Sequence, residues 1–96
     1  AEGSLFLGGL KLSAIDSVTQ KQYRLSSDTI GILISDVEPK SKAEKAGFEA
    51  GDVIIQIEDV EIKNFANLEN AIKKYENKNK RVYVNRYGQT ILFIIQ

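Results

Sequence analysis

The chain has 96 residues, its 13 lysines and arginines balance 13 aspartates and glutamates, and it holds neither cysteine nor histidine. That length allows one core and one domain, and the charge balance leaves no global field to attract nucleic acid or an anionic membrane. Without cysteine or histidine there is no disulfide frame, no thiolate, no Ser-His-Asp or Cys-His catalysis and no Cys- or His-ligated metal within the chain.

A Ser-Lys arrangement remains formally open. No apolar run approaches the roughly 18 residues of a membrane span, and no basic-then-apolar leader opens the chain. The first four residues, Ala-Glu-Gly-Ser, are expected to be vector or linker residues in front of a domain over 5–96.

The first element is the stretch Phe6 to Ile15, in which the pair Gly8-Gly9 runs straight into an alternating strand. Glycine takes positive φ freely, so two in succession can aim neighbouring N–H groups into one concavity that holds an anion, here expected to be a carboxylate. Leu10 and Leu12 then fall on one face and Lys11 and Ser13 on the other, the period of a half-buried strand. Left at a sheet edge, such a strand can accept a further strand from a guest.

Ser17 to Leu25 has loose helical spacing and predicts a short helix. Ile30 to Val37, rich in β-branched residues, predicts a central strand with Ile30, Ile32 and Ile34 on one face, and Gly31 marks a bulge or a close backbone contact. After the turn at Pro39, Ser41-Lys42-Ala43-Glu44 has the form of a capping box that opens a short helix. Gly47 fits the left-handed residue that closes that helix, with Phe48 tucking back against it.

Val53 to Ile57 and Val60 to Ile62 read as strands around an acidic corner at Glu58-Asp59. Asn64 suits the N-cap of the longest helix, about Phe65 to Glu76, with a core stripe of Phe65, Leu68, Ile72 and Tyr75. Asn67, Ala71 and Lys74 make a second face that could line a groove. The basic residues of 73–81 are expected to offset the helix dipole and to be solvated. Val82 to Val84 predicts a strand, Gly88 a turn, and Ile91 to Ile95, apolar on both faces, a strand buried within the sheet.

The segment Ser-Lys-Ala-Glu-Lys-Ala-Gly-Phe-Glu-Ala-Gly-Asp-Val-Ile-Ile-Gln-Ile at Ser41 to Ile57 resembles the Ser-Pro-Ala-x-x-Ala-Gly-Leu-x-x-Gly-Asp-x-Ile segment of bacterial PDZ domains. The order of elements is similar to the HtrA (Do/Deg) serine proteases, and the ending, Val82 to Gly88 followed by Ile91 to Gln96, most resembles their second, C-terminal PDZ domain. The resemblance implies an α+β fold: a PDZ-like, partly open β-sandwich or barrel of five to six strands and two helices, in the circularly permuted bacterial strand order.

It also implies a carboxylate-binding loop at Gly8, Gly9 and Leu10, or one residue earlier over Leu7-Gly8-Gly9. The ligand-pairing strand becomes Leu10-Lys11-Leu12-Ser13 and the groove helix presents Asn67, Ala71 and Lys74. Two positions depart from the family pattern: Gly8 stands where the loop usually offers an apolar side chain, and Lys42 replaces a proline.

The function implied is that of a non-catalytic module, within a periplasmic serine endopeptidase, that binds C-terminal or extended peptide segments and regulates or delivers substrates in protein quality control. An apolar last residue is expected, in an end pocket lined by Leu10, Leu12 and Ala71. Partners are peptides or unfolded segments and other domains of the parent protease, with no nucleic acid, no membrane span, no metal and no cofactor, and the isolated domain is expected to be a monomer. In the alternative reading the domain is an assembly element of the protease oligomer and its groove is unused.

Overall fold

The computed structural model describes residues 5–6, 9–26, 29–76 and 78–95. Its strands are β1 (Leu5–Phe6), β2 (Leu10–Ala14), β3 (Ile32–Val37), β4 (Val53–Ile57), β5 (Val60–Glu61), β6 (Lys80–Arg86) and β7 (Gln89–Ile95). Between them lie the helices α1 (Ser17–Gln22), α2 (Lys42–Ala46) and α3 (Phe65–Lys74). All strand pairs are antiparallel, in the order β1-β2-β3-β4-β6-β7, and β5 pairs with β4. This is the expected α+β architecture, with three helices and seven strands among the described residues, two of those strands (β1 and β5) only two residues long, where the resemblance implied two helices and five to six strands.

The extra helix, α1, has a complete capping box: Thr19 N–H donates to the Asp16 side chain at 2.8 Å, and Asp16 N–H donates to Thr19 Oγ1 at 2.8 Å. None of its residues is buried, so local capping rather than packing defines it. It stops at Tyr23, short of the Leu25 expected, and Arg24 turns to positive φ.

In the middle of the sheet, β3 and β4 share two rungs, Ile32 opposite Ile54 and Leu33 opposite Val53. Gly31 lies at this seam with φ of 145°, and a Cβ there would stand 2.4 Å from the Ile54 carbonyl oxygen. The chain turns at this glycine, so β3 begins at Ile32 and Ile30, expected on its inner face, is 60% exposed. Ile32, Leu33 and Ile34 are all buried, as a central strand requires.

The short helix α2 is built much as its sequence predicts. Ser41 Oγ accepts the Glu44 N–H at 3.1 Å, but the Glu44 carboxylate reaches the N–H of Lys40, one residue before the cap, at 3.0 Å. The start of α3 repeats this shifted box: Asn64 accepts from Asn67 N–H at 2.9 Å while Asn67 Oδ1 accepts from Lys63 N–H at 3.0 Å. Helix α2 closes at Gly47, whose φ is 109°, and Phe48 stacks on Phe93 with ring centroids 4.5 Å apart.

A side chain at Gly47 meets both a backbone and a packing obstacle, since its Cβ would lie 3.0 Å from Phe93 Cε1. Gly47→Val is therefore expected to cost at least the left-handed penalty of about 1 to 2 kcal/mol. Denaturant melts of the two proteins measure it, and an unchanged midpoint would contradict this role.

Three expectations fail around the last hairpin. Strand β7 is at the sheet edge, not within the sheet, and pairs only with β6 among the described strands. Ile91, Phe93 and Ile95 face inward, but Leu92 and Ile94 are 48% and 60% exposed, so an apolar pattern on both faces here marks an uncovered outer face. Lys80, expected in a solvated basic cluster, is 3% exposed, with its ammonium donating to the Lys78 carbonyl at 3.1 Å. Burial holds its pKa below the usual lysine value.

The hairpin itself turns through Tyr87 and Gly88, with φ of 51° and 85°, the two-residue geometry whose twist suits antiparallel strands.

Candidate peptide-docking site

Strand β2 supplies the site with its two edges. On one side it pairs with β3 along its whole length, from Leu10 opposite Val37 to Ala14 opposite Ile32, with a bulge between Lys11 and Leu12. At that bulge the Ser35 hydroxyl donates to the Lys11 carbonyl at 3.1 Å. On the other side β1 pairs with Lys11 and Leu10, through Leu5 and Phe6 respectively. Among the described residues no strand pairs with that edge at Leu12, Ser13 or Ala14.

The alternation expected of β2 is present, because Leu10 and Leu12 are fully buried while Lys11 is exposed and Ser13 half-buried.

Of the loop residues expected to hold a carboxylate, Gly8 lies outside the described residues. Gly9 has φ of 123°, and its carbonyl accepts the Glu38 N–H at 2.9 Å. A Cβ on Gly9 would sit 2.4 Å from Ser41 Cβ and 2.7 Å from Ser41 Oγ, the N-cap of α2. The loop is thus pressed against a helix N-terminus, a contact between residues 32 positions apart that local sequence does not reveal. Substituting Gly9 would disturb that packing as well as N–H direction, so it cannot isolate the role of the donors.

On α3 the structure divides the expected face. Ala71 is fully buried beside Leu68, Leu10 and Leu12 in the core cluster, so the end pocket expected from Leu10, Leu12 and Ala71 is closed. Asn67 is half-buried and occupied with Lys63 N–H. Lys74 reaches Asp59 at 3.3 Å and lies 5.4 Å from the Tyr75 ring centre. The Tyr75 hydroxyl also donates to Asp59, and these bonds, Tyr75 first and Lys74 second, hold the Asp59 carboxyl below its ordinary range.

Asn67 and Lys74 are therefore tied to the segment 59–63 around β5, against which α3 packs.

The opposite flank of α3 carries Phe65 and Ile72, two turns apart and each partly buried against the core. Phe65 joins Ala14 and Ile15, at the end of β2, in lining a cavity of about 280 Å³ with Ile32, Lys63 and Asn64. Sequence reasoning put Phe65, Leu68, Ile72 and Tyr75 on the core stripe; Leu68 is fully buried as expected, but with Ala71 beside it, and Phe65 and Ile72 lie on the flank, Phe65 next to the end of β2. The small size of Ala71 was the available signal, since alanine suits close helix packing as well as a groove floor.

A larger cleft, about 710 Å³, lies between residues 22–26, 29–30, 50–51 and the hairpin at Asn85, Tyr87 and Gly88, with Tyr23, Ile30 and Tyr87 in its walls. Its lining includes none of the residues expected to hold a peptide.

A family model described as PDZ domain matches residues 33–86, more than half of the chain. The chain belongs to the PDZ domain family. Among curated relatives, this PDZ domain is 29% identical over 86 residues to a probable periplasmic serine endoprotease DegP-like of Chlamydia pneumoniae, covering 90% of this chain and 17% of that protein. It is 37% identical over 60 residues to a probable periplasmic serine protease do/HhoA-like of Haemophilus influenzae, covering 62% of this chain and 13% of that protein. The chain thus spans under a fifth of the length of either relative.

Among solved structures, the PDZ domain superimposes on the HtrA-type protease AlgW with decapeptide at a TM-score of 0.80 and 22% identity, over 95% of this chain and 28% of that one. The HtrA3 PDZ domain bound to a phage-derived ligand matches at a TM-score of 0.73 and 21% identity, over 96% and 84%. The fold is therefore shared with PDZ domains of HtrA-type proteases.

Proposed function

We propose that this PDZ domain is a non-catalytic module of a periplasmic HtrA/Do-type serine endopeptidase, the second PDZ domain of that protein, and that it binds peptide or unfolded-protein segments by strand addition beside β2. The observation that carries this reading is the edge of β2 at Leu12 to Ala14, free of a strand partner among the described residues and next to the cavity below Phe65. Backbone pairing along that edge supplies affinity, and pockets for alternate side chains supply preference.

The guest carboxylate is assigned to the N–H groups of Gly8, Gly9 and Leu10, the backbone of Lys11, Leu12 and Ser13 pairs with the guest, and α3 forms the opposite wall. There the apolar flank of Phe65 and Ile72 supports an apolar preference better than Asn67, Ala71 and Lys74 do. In the parent protease such binding would regulate or deliver substrates for quality control, a role implied by the family resemblance; the relatives' names support a periplasmic serine protease as the parent.

Fluorescence polarisation with one labelled apolar-ended peptide, as free acid and as C-terminal amide, tests the reading. The free acid is expected to bind with about micromolar affinity, and the amide about tenfold or more weakly, because amidation removes the charge that the loop N–H groups receive. Equal binding of the two would argue that the groove takes internal segments or is not the site. The second reading, an assembly element of a protease oligomer with an unused groove, is favoured by the uncovered Leu92 and Ile94 on the edge strand β7. Peptide silence, together with assembly defects when the domain is deleted from its parent protein, would select it.

A further inference from the structure

We propose that β1 is an intramolecular guest that gates the docking edge, so that Leu5 and Phe6 must leave β2 before a peptide terminus reaches the loop. This inference rests on the docking reading above and adds a regulation of the same site. Strand β1 runs antiparallel to β2, with Phe6 opposite Leu10 and Leu5 opposite Lys11. A guest whose carboxylate meets Gly9 and Leu10 and whose chain runs back along β2 takes the same direction and needs the same rungs.

One strand edge pairs with one neighbour at a time, since each N–H and C=O along it is directed at a single partner strand. Occupation by β1 and by the end of a guest are therefore mutually exclusive.

The sequence also fits a self-occupied edge, since Leu5 and Phe6 are apolar residues of the kind expected at the end of a guest. The gate is also incomplete, because its two rungs stop at Lys11 and leave Leu12 to Ala14 open. A longer guest has a place to pair first, beside Leu12 to Ala14, and can then displace β1 rung by rung toward the loop.

A two-residue strand adds little stability by itself, so the closed state competes with guests without excluding them. The observed dissociation constant is the intrinsic one divided by the open fraction, and a gate open about one-tenth of the time weakens binding about tenfold, or ~1.4 kcal/mol.

The test uses the full chain with a labelled, free-acid, apolar-ended peptide in fluorescence polarisation. Neighbouring N–H groups of a strand point to opposite edges, so the double variant Leu5→Pro/Phe6→Pro removes whichever donor faces β2. It is expected to bind about tenfold tighter than the unaltered chain. A second variant, Leu5→Cys/Lys11→Cys, places the chain's two cysteines on paired positions of β1 and β2 and is compared only with itself. Oxidation is expected to abolish binding and reduction to restore it.

If the proline variant and the unaltered chain bind alike, and oxidation of the cysteine pair changes nothing, the gate is wrong while the docking reading stands. Absence of binding in every form, the proline variant included, overturns both. Amide exchange at Leu10 and Lys11 gives a readout independent of any peptide: faster exchange in the proline variant is expected, and unchanged exchange counts against β1 pairing.

Discussion

Arg86→Ala is expected to destabilise the domain by about 3 to 5 kcal/mol, because it strands the carboxylate of Asp52 in the interior without its counter-ion. Asp52 is 1% exposed. The guanidinium of Arg86 grips it with two bonds, Nε to Oδ1 at 2.8 Å and Nη2 to Oδ2 at 2.7 Å, and the Glu49 N–H donates to Oδ2 at 3.1 Å. The same guanidinium donates to the Gly47 carbonyl at 3.1 Å, pairs with Glu49 at 3.0 Å and sits 5.5 Å from the Phe93 ring centre.

One side chain from β6 thus joins the end of α2 to the start of β4. Arg86→Lys keeps the charge but not the planar fork, and is expected to recover only part of the loss. The pair as a whole adds much less than either truncation costs, since removing both charges avoids an unpaired ion. Urea melts of Asp52→Ala, Arg86→Ala and the double variant give the coupling. Simple additivity of the two single losses would mean that the ion pair does not act as a unit.

None of this network was legible in the sequence, because Asp52 and Arg86 stand 34 positions apart. Sequence reasoning works well where cause and effect lie within one turn of chain: Ser41 and Asn64 cap their helices, Gly47 takes the left-handed conformation, and Leu10 and Leu12 alternate with Lys11. It fails where the decisive neighbour is distant. Gly9 needs to be glycine because of Ser41, Gly31 because of the Ile54 carbonyl, and Lys80 is buried although it stands in a run of charged residues.

The candidate site divides in the same way. Its strand was readable from period-two alternation. The pairing of β1 with β2 left no comparable signal, since two residues are too few for a periodic pattern, and the flank of α3 beside the end of β2 depends on how the helix is rotated about its axis. At 100° per residue the midpoint of Phe65, Leu68, Ile72 and Tyr75 differs from that of Leu68 and Ala71 by only about 50°, too small a rotation for the apolar pattern to decide.

That rotation is what the second large effect measures. Leu68→Ala is expected to cost about 2 to 5 kcal/mol, since Leu68 is fully buried in the core cluster and its truncation leaves a cavity that the sheet cannot fill by relaxing. Ile72 is in contact with the same cluster but keeps part of its surface in water. Ile72→Ala therefore forfeits only part of a transfer free energy, about 1 to 2 kcal/mol.

Had Ile72 been the centre of the buried stripe, the order of the two losses would be reversed. Ala71 gives the opposite sign of change, because it has no exposed surface and Ala71→Leu forces extra volume into a filled core, at about 1 to 3 kcal/mol. If Ala71 floored an open groove, as its spacing with Asn67 and Lys74 suggested, the larger side chain would fit at little cost and would alter peptide binding alone. Denaturant melts of the three single variants decide between the rotations without any ligand. A stable Ala71→Leu protein beside a strongly destabilised Ile72→Ala protein would return Asn67, Ala71 and Lys74 to the groove wall.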